Sequence, residues 1–153
     1  MKTLIVYYSA SGITKRRAEE ISAQIDGDLY EIVPTEIYTS EDLDWTNNQS
    51  RSSVEMADKT SRPTIVNNPI DLNNYDKIII GFPIWWGVAP HVVNTFIESN
   101  DLTNKELYVF VTSGTTPVES SIDDLKTTYP NLNFVNAIRV ASESDIEEIK
   151  GWL

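Results

Sequence analysis

The sequence contains no cysteine and a single histidine, His91. The lack of cysteine excludes disulfides, thiolate metal sites and thiol nucleophiles. One histidine cannot build a multi-histidine metal site. No apolar run approaches the roughly 18 residues of a membrane span, and the run after Thr3 is shorter than the roughly 7 to 15 residues of a signal-peptide core. We therefore expect a cytoplasmic protein that binds no membrane.

Basic residues are also few. The 153 residues include 12 Lys and Arg against 23 Asp and Glu, so the formal net charge is -11. A field of this sign opposes binding to nucleic acid or to anionic lipid. The length and the hydrophobic content of 41% are typical of one globular unit, and we expect residues 1–153 to form a single domain.

Apolar patterning alternates between strands and helices along the chain. Strands are predicted at residues 4–9, 29–33, 77–82, 106–111 and 133–140, and helices at 13–25, 91–98, 118–128 and 143–153. The first strand is apolar on both sides of its alternation, which is typical of a parallel strand buried on both faces. Residues 35–74 are predicted as a long loop with at most a short helix near 52–59. The pattern favours an α/β fold with a doubly wound parallel sheet.

Small and hydroxyl residues follow the first strand at Ser9, Ala10, Ser11, Gly12, Ile13 and Thr14. Glycine permits close approach of the backbone, and the helix predicted from Ile13 would direct its free N–H groups at an anion. These N–H groups and the three hydroxyls match the acceptor oxygens of a phosphate monoester. The loop lacks the lysine of a Walker motif, which argues against ATP hydrolysis.

Two further loops follow the third and fourth strands, at Pro83-Ile84-Trp85-Trp86-Gly87 and at Thr112-Ser113-Gly114. In doubly wound sheets, ligands bind beyond the carboxyl ends of the strands. We therefore expect the three loops to form one binding site. A tryptophan ring suits stacking on a flat aromatic ligand, and we expect one of Trp85 and Trp86 to face that ligand while the other packs on protein.

Together the three loops resemble those of flavodoxin-like flavoproteins, which bind FMN. The phosphate loop of that family is a hydroxyl residue, any residue, a hydroxyl residue, glycine, any residue and threonine, and Ser9 to Thr14 match every fixed position. The Pro-x-Trp-Trp-Gly loop is similar to that of a branch of short flavodoxin-like proteins. The resemblance implies a five-stranded sheet in the order 2-1-3-4-5, with FMN at the switch point between strands one and three.

The resemblance also implies a role for each loop. Residues 9–14 would hold the phosphate, residues 83–87 would lie beside the flavin ring, and residues 112–114 would meet its pyrimidine edge. Many flavodoxins cover the outer face of the ring with a tyrosine after strand four, whereas residues 112–117 contain no aromatic. In the long segment 35–74, we interpret Tyr38, Trp45, Arg51 and Arg62 as residues that anchor the loop.

Three functions fit these observations. The favoured one is a flavodoxin that carries electrons between a reductase, as redox partner protein, and a cytosolic acceptor. The alternative is an FMN-dependent oxidoreductase that uses NAD(P)H to reduce quinones or similar small acceptors, as in reductases related to the tryptophan-repressor-binding protein. An open outer face favours this alternative, although no nicotinamide site is identifiable. A cofactor-free binding module is the third, and either a monomer or a homodimer is compatible with the sequence.

Overall fold

The computed structural model describes residues 2–153, which contain one five-stranded sheet. Its order is β2-β1-β3-β4-β5, and every neighbouring pair is parallel. The predicted α/β fold and the predicted strand order are confirmed. The strands are β1 (Lys2–Tyr7), β2 (Asp28–Glu31), β3 (Tyr75–Pro83), β4 (Glu106–Thr112) and β5 (Asn133–Arg139).

Five α-helices connect and flank the strands, and a short 3-10 turn, Leu72–Asn74, precedes β3. Among residues 2–153, none of the helices has both the length and the apolar character needed to cross a bilayer. The helices are α1 (Ile13–Ile25), α2 (Arg51–Ala57), α3 (His91–Glu98), α4 (Glu119–Thr128) and α5 (Glu143–Trp152).

The first strand ends two residues earlier than its apolar pattern predicts. It was expected to run to Ser9, but β1 stops at Tyr7. Beyond Tyr7 the chain turns into the next loop, and the Tyr8 N–H donates to the Gly81 carbonyl at 3.0 Å. Tyr8 remains buried, so its apolar character reflects packing below the loop rather than strand structure.

Alternate residues of the central strands enter two cores, one on each face of the sheet. Leu4 and Ile78 belong to the core that includes buried residues of α3 and α4. Ile5 and Ile79 belong to the core beneath α1 and α5. Burial on both faces explains the continuous apolar run of β1, and it leaves only the ends of the strands free for ligands.

The long segment between β2 and β3 is tied to the sheet rather than loose. An isolated antiparallel bridge joins Pro34 to Ile65. Near its end, the Lys105 ammonium donates to the carbonyl oxygens of Leu72 and Tyr75, each at 2.7 Å. The predicted short helix is present as α2. The segment is therefore fixed both soon after it leaves β2 and where it enters β3.

Candidate functional site

The loops after β1, β3 and β4 meet at the carboxyl edge of the sheet. Pro83 and Thr112 are register partners at the ends of β3 and β4. Just beyond them, the Ile84 N–H donates to the Thr112 carbonyl at 3.1 Å. The hydroxyl of Thr14, from the first loop, lies 2.8 Å from that of Thr112. The structure thus brings together the three predicted site segments.

The first loop has the geometry of an anion cradle. Gly12 has a φ of 93°, in the left-handed region, and its N–H donates to Ser9 Oγ at 3.1 Å. A Cβ at Gly12 would meet no atom within 4 Å, so the space above its backbone is open. The N–H groups of the first turn of α1 have no partner within the helix, and no acidic residue lies in that turn. The loop therefore fits a phosphate.

The side chains of this loop divide between two tasks. Thr14 is only 2% exposed, and its hydroxyl is bonded to that of Thr112, so Thr14 ties two loops together. Ser11 is exposed, and its hydroxyl is free to meet a ligand. Ala10 is half-buried, and Ile13 is exposed beside the start of α1. The sequence predicted three hydroxyls that contact the phosphate. Because the Thr14 hydroxyl is bonded to Thr112, the structure instead favours a phosphate bound mainly by backbone N–H groups, with fewer hydroxyl contacts.

The two adjacent tryptophans of the second loop have different surroundings. Trp85 is half-buried, and its ring meets Tyr8 and Tyr38 in edge-on contacts with centroid distances of 5.7 and 5.3 Å. Trp86 has a φ of 50° and is 51% exposed. The left-handed turn at Trp86 directs successive side chains to different environments. Trp85 is thus the ring that packs on protein, and Trp86 is the ring that stays largely exposed.

Side chains from neighbouring elements hold the second and third loops in place. Gly87 has a φ of 81°, and its carbonyl accepts a 2.6 Å hydrogen bond from Ser120 Oγ. The Arg139 guanidinium donates to the Ser113 carbonyl at 3.1 Å. A Cβ at Gly114 would meet nothing within 4 Å, so the third loop also borders open space. The N–H groups near Gly114 therefore have room to meet the polar edge of a ring.

A partly buried polar network lies behind Trp85, and the sequence pattern does not reveal it. The Arg51 guanidinium lies 3.8 Å from the centre of the Tyr38 ring, and its Nε contacts Glu55 Oε2 at 3.0 Å. The Tyr38 hydroxyl donates to the other oxygen of Glu55. Burial and this hydrogen bond raise the pKa of Tyr38, while burial raises the pKa of Tyr8. Both phenols are therefore neutral at ordinary pH.

These contacts test the interpretation of the long segment. Tyr38 and Arg51 anchor it as predicted. Arg62 does so too, since its Nε donates to Glu98 in α3 at 2.8 Å. The prediction is wrong for Trp45, which is 74% exposed. An aromatic residue in a loop usually gains stability by burial, and the sequence offers no sign that this one lies open.

His91 is an internal residue that links α3 to the long segment. It is 7% exposed, and its Nδ1 lies 2.6 Å from Ser61 Oγ. Ser61 donates its own proton to the Glu55 carbonyl at 2.7 Å, so Nδ1 of His91 carries the hydrogen in this pair. Burial, then the charge of Arg62, lowers the pKa of His91. His91 therefore holds the segment between β2 and β3 against α3.

The matching family model is that of flavodoxins, and it covers residues 2–153. The chain belongs to the flavodoxin family. The prediction of a flavodoxin-like, FMN-binding family is thereby confirmed, and the loop geometry of this chain agrees with it. A search of curated proteins gives no match.

Solved structures similar to this chain include a protein assigned as a flavoprotein from Bacteroides eggerthii, with 45% identity and a TM-score of 0.94 over 99% of this chain and 95% of that one. A flavoprotein of Lactobacillus acidophilus in complex with FMN has 30% identity and a TM-score of 0.78, over 99% and 97%. The Trp repressor binding protein of Bacillus subtilis has 14% identity and a TM-score of 0.56, over 98% and 94%, so it shares the fold alone.

Proposed function

We propose that this flavodoxin-family chain binds FMN at the carboxyl edge of its sheet and carries electrons between a reductase and a cytosolic acceptor. The observation that carries the proposal is the meeting of three loops of complementary chemistry. One is an anion cradle at Gly12, one presents an exposed Trp86 ring, and one borders open space at Gly114. When bound, FMN supplies the one- or two-electron redox chemistry.

Each loop has its own part in binding the cofactor. Backbone N–H groups of residues 10, 11, 13 and 14 hold the phosphate, helped by the positive end of α1, while the Gly12 N–H is bonded to Ser9 Oγ. Trp86 stacks on one face of the flavin ring and excludes water there. Backbone N–H groups of residues 112–114 donate to the pyrimidine edge, where the ring carries hydrogen-bond acceptors.

The direct test is titration of the apoprotein with FMN. We expect a shift of the flavin absorbance bands, quenching of tryptophan fluorescence and a stoichiometry of one. Riboflavin, which lacks the phosphate, serves as the matched ligand control and should bind more weakly. An apoprotein that leaves the FMN spectrum unchanged would contradict the proposal.

A second function, reduction of quinones or similar small acceptors by NAD(P)H, is supported by a specific feature of this chain. The loop after β4 has no aromatic residue in positions 112–117, so no such ring covers the flavin from that side. An open face leaves room for a hydride donor or an aromatic acceptor. Steady NADPH consumption with a quinone, in the absence of any added reductase, favours this function over electron carriage.

A further inference from the structure

The loop after β3 is closed by a two-residue turn of an uncommon kind. The Trp85 N–H donates to the Val88 carbonyl at 2.9 Å, and the Val88 N–H donates to the Trp85 carbonyl at 3.1 Å. Between them, Trp86 and Gly87 have φ values of 50° and 81°. Positive φ at both central residues defines a type I′ turn, whose first central residue is usually asparagine, aspartate or glycine. A tryptophan in that position is therefore exceptional.

The left-handed backbone at Trp86 carries strain that its own side chain does little to offset. A bulky residue in this region brings its Cβ too close to the following carbonyl oxygen. The Trp86 side chain is 51% exposed, so packing against the protein gives little compensation. Strained residues persist only where the surrounding structure holds them, and they concentrate at functional sites. The contacts around the turn therefore have to hold Trp86 in this conformation.

A side chain from α4 bonds to this turn. Ser120 lies in the first turn of α4, and its Oγ donates to the Gly87 carbonyl, 33 residues away in the chain, at 2.6 Å. Serines near a helix start commonly bond to nearby backbone, as Ser121 does to the Val118 carbonyl at 2.8 Å. Ser120 instead joins the helix that follows the third loop to the turn that carries Trp86. The bond therefore fixes the position of the turn relative to α4.

We propose that Ser120 is a positioning residue for the flavin ring, because its bond to the Gly87 carbonyl holds the strained turn and so keeps the Trp86 ring in place for stacking. Ser120 acts through Trp86 and is not itself a cofactor contact. A turn that is already held needs no rearrangement when the ring arrives, which lowers the ordering cost of binding. This inference rests on the proposed function, in which Trp86 stacks on the flavin.

The test is a double-mutant cycle on FMN affinity, measured by isothermal titration calorimetry of the full-length apoproteins. We expect Ser120→Ala to weaken FMN binding about 3- to 10-fold through loss of one hydrogen bond. In a protein that already carries Trp86→Ala, the same change should weaken binding less than about 2-fold, because the ring that Ser120 positions is gone. Ser120→Thr keeps the hydroxyl and should bind FMN as the wild type does.

Ser99→Ala is the matched control. Ser99 is also exposed, and its hydroxyl also donates to a backbone carbonyl at 2.6 Å, that of Thr95, but it lies at the C-terminal end of α3. This control should keep FMN affinity. Riboflavin is the matched ligand, because it shares the ring and lacks the phosphate. Ser120→Ala should weaken riboflavin and FMN by the same factor, and a loss confined to FMN would place the effect at the anion cradle and overturn the inference.

Two replacements of Trp86 test the strain itself in the apoprotein. Glycine adopts a positive φ readily, whereas alanine keeps the Cβ that causes the strain. Although glycine also loosens the unfolded chain, we expect Trp86→Gly to melt roughly 2–4 °C above Trp86→Ala. An equal or lower melting temperature would show that the turn is not strained at Trp86, which overturns the inference.

The cycle has two further outcomes that overturn the inference. One is an FMN affinity of Ser120→Ala equal to that of the wild type. The other is an equal loss with and without the Trp86 ring, which would mean that Ser120 acts independently of it. A wild-type protein that fails to bind FMN contradicts the proposed function instead, and the absorbance titration reveals that failure separately.

Discussion

Thr14 and Thr112 join the start of the first helix to the end of the fourth strand through hydroxyls 2.8 Å apart. Both residues are buried, with 2% and 6% of their surfaces exposed. The pair fixes the spacing between the anion cradle and the third loop. A ligand that contacts both loops therefore meets a site that is already ordered, which lowers the entropy cost of binding.

Breaking this pair on one side should destabilise the apoprotein. Thr14→Val keeps the shape but leaves the Thr112 hydroxyl buried without its partner, so we expect a loss of about 1–3 kcal/mol in the free energy of unfolding. Thr14→Val with Thr112→Val should cost less than the sum of the two single changes. Urea unfolding of the four proteins measures this, and strictly additive values would show that the two hydroxyls do not interact.

Replacing the two tryptophans one at a time should show that Trp85 contributes mainly to stability and Trp86 mainly to FMN affinity. Trp86→Ala removes an exposed ring, so we expect apoprotein stability within about 0.5 kcal/mol of wild type. FMN affinity should fall about 10-fold, because a stacking contact is lost. Trp85→Ala removes the ring packed on Tyr8 and Tyr38 and should cost roughly 3 kcal/mol of stability. Equal effects of the two changes on FMN affinity would contradict this division.

Alanine at Gly87 should destabilise the second loop through its backbone. Its φ of 81° lies in the left-handed region, where a side chain costs about 1–2 kcal/mol. For a chain of this size we expect the melting temperature to fall by roughly 2–8 °C. Gly151→Ala is the control, because Gly151 lies in α5 with open space around it. That change should raise stability by about 0.5 kcal/mol, since glycine is a poor helix former.

His91 should make stability depend on pH on the acid side of neutrality. Burial and the positive charge of Arg62 lower its pKa below the usual value, with partial opposition from Asp124 and Glu55. The unfolded chain then binds more protons than the folded one as pH falls below about 6.5, so stability is full above that pH and decreases below it. The decrease stops once pH is below the folded pKa.

His91→Asn tests this contribution because the Asn amide can replace the Nδ1–H donor to Ser61 without titrating. Chemical unfolding of wild type and variant at pH 5, 6, 7 and 8 measures the difference. We expect the wild type to lose stability relative to the variant between pH 7 and pH 5. Parallel profiles would show that His91 does not titrate differently on folding.

The sequence predicts those parts of the fold in which apolar residues recur at regular spacing. Apolar residues at strand and helix spacing locate the elements, and small or hydroxyl residues at three strand ends locate the site. These signals depend on near neighbours in the chain. The different surroundings of Trp85 and Trp86 could not be assigned from the sequence, because the pattern indicates only that two adjacent rings point in different directions. The left-handed backbone at Trp86 decides which ring is which.

Contacts between distant residues leave no such signal. Nothing near Gly81 in the chain shows that a Cβ there would collide with the ring of Phe110 on the neighbouring strand. The Ser61 and His91 pair and the bond from Ser120 to the loop after β3 are equally hidden. Trp45 was misjudged for the same reason. Its exposure depends on how the segment between β2 and β3 lies against the rest of the chain, and no local pattern encodes that.

The bridge between Pro34 and Ile65 also bears on how such a chain can diversify. It closes the intervening residues into a loop, with flanking backbone hydrogen bonds from Thr35 to Thr64 and from Val66 to Val33. Lengthening a closed loop is inexpensive, since each doubling adds only about 0.6 kcal/mol of closure entropy. Insertions between Pro34 and Ile65 can therefore remodel the cavity wall that contains Trp45 while the strands and the anion cradle stay unchanged. New ligand preferences can arise there without a new fold.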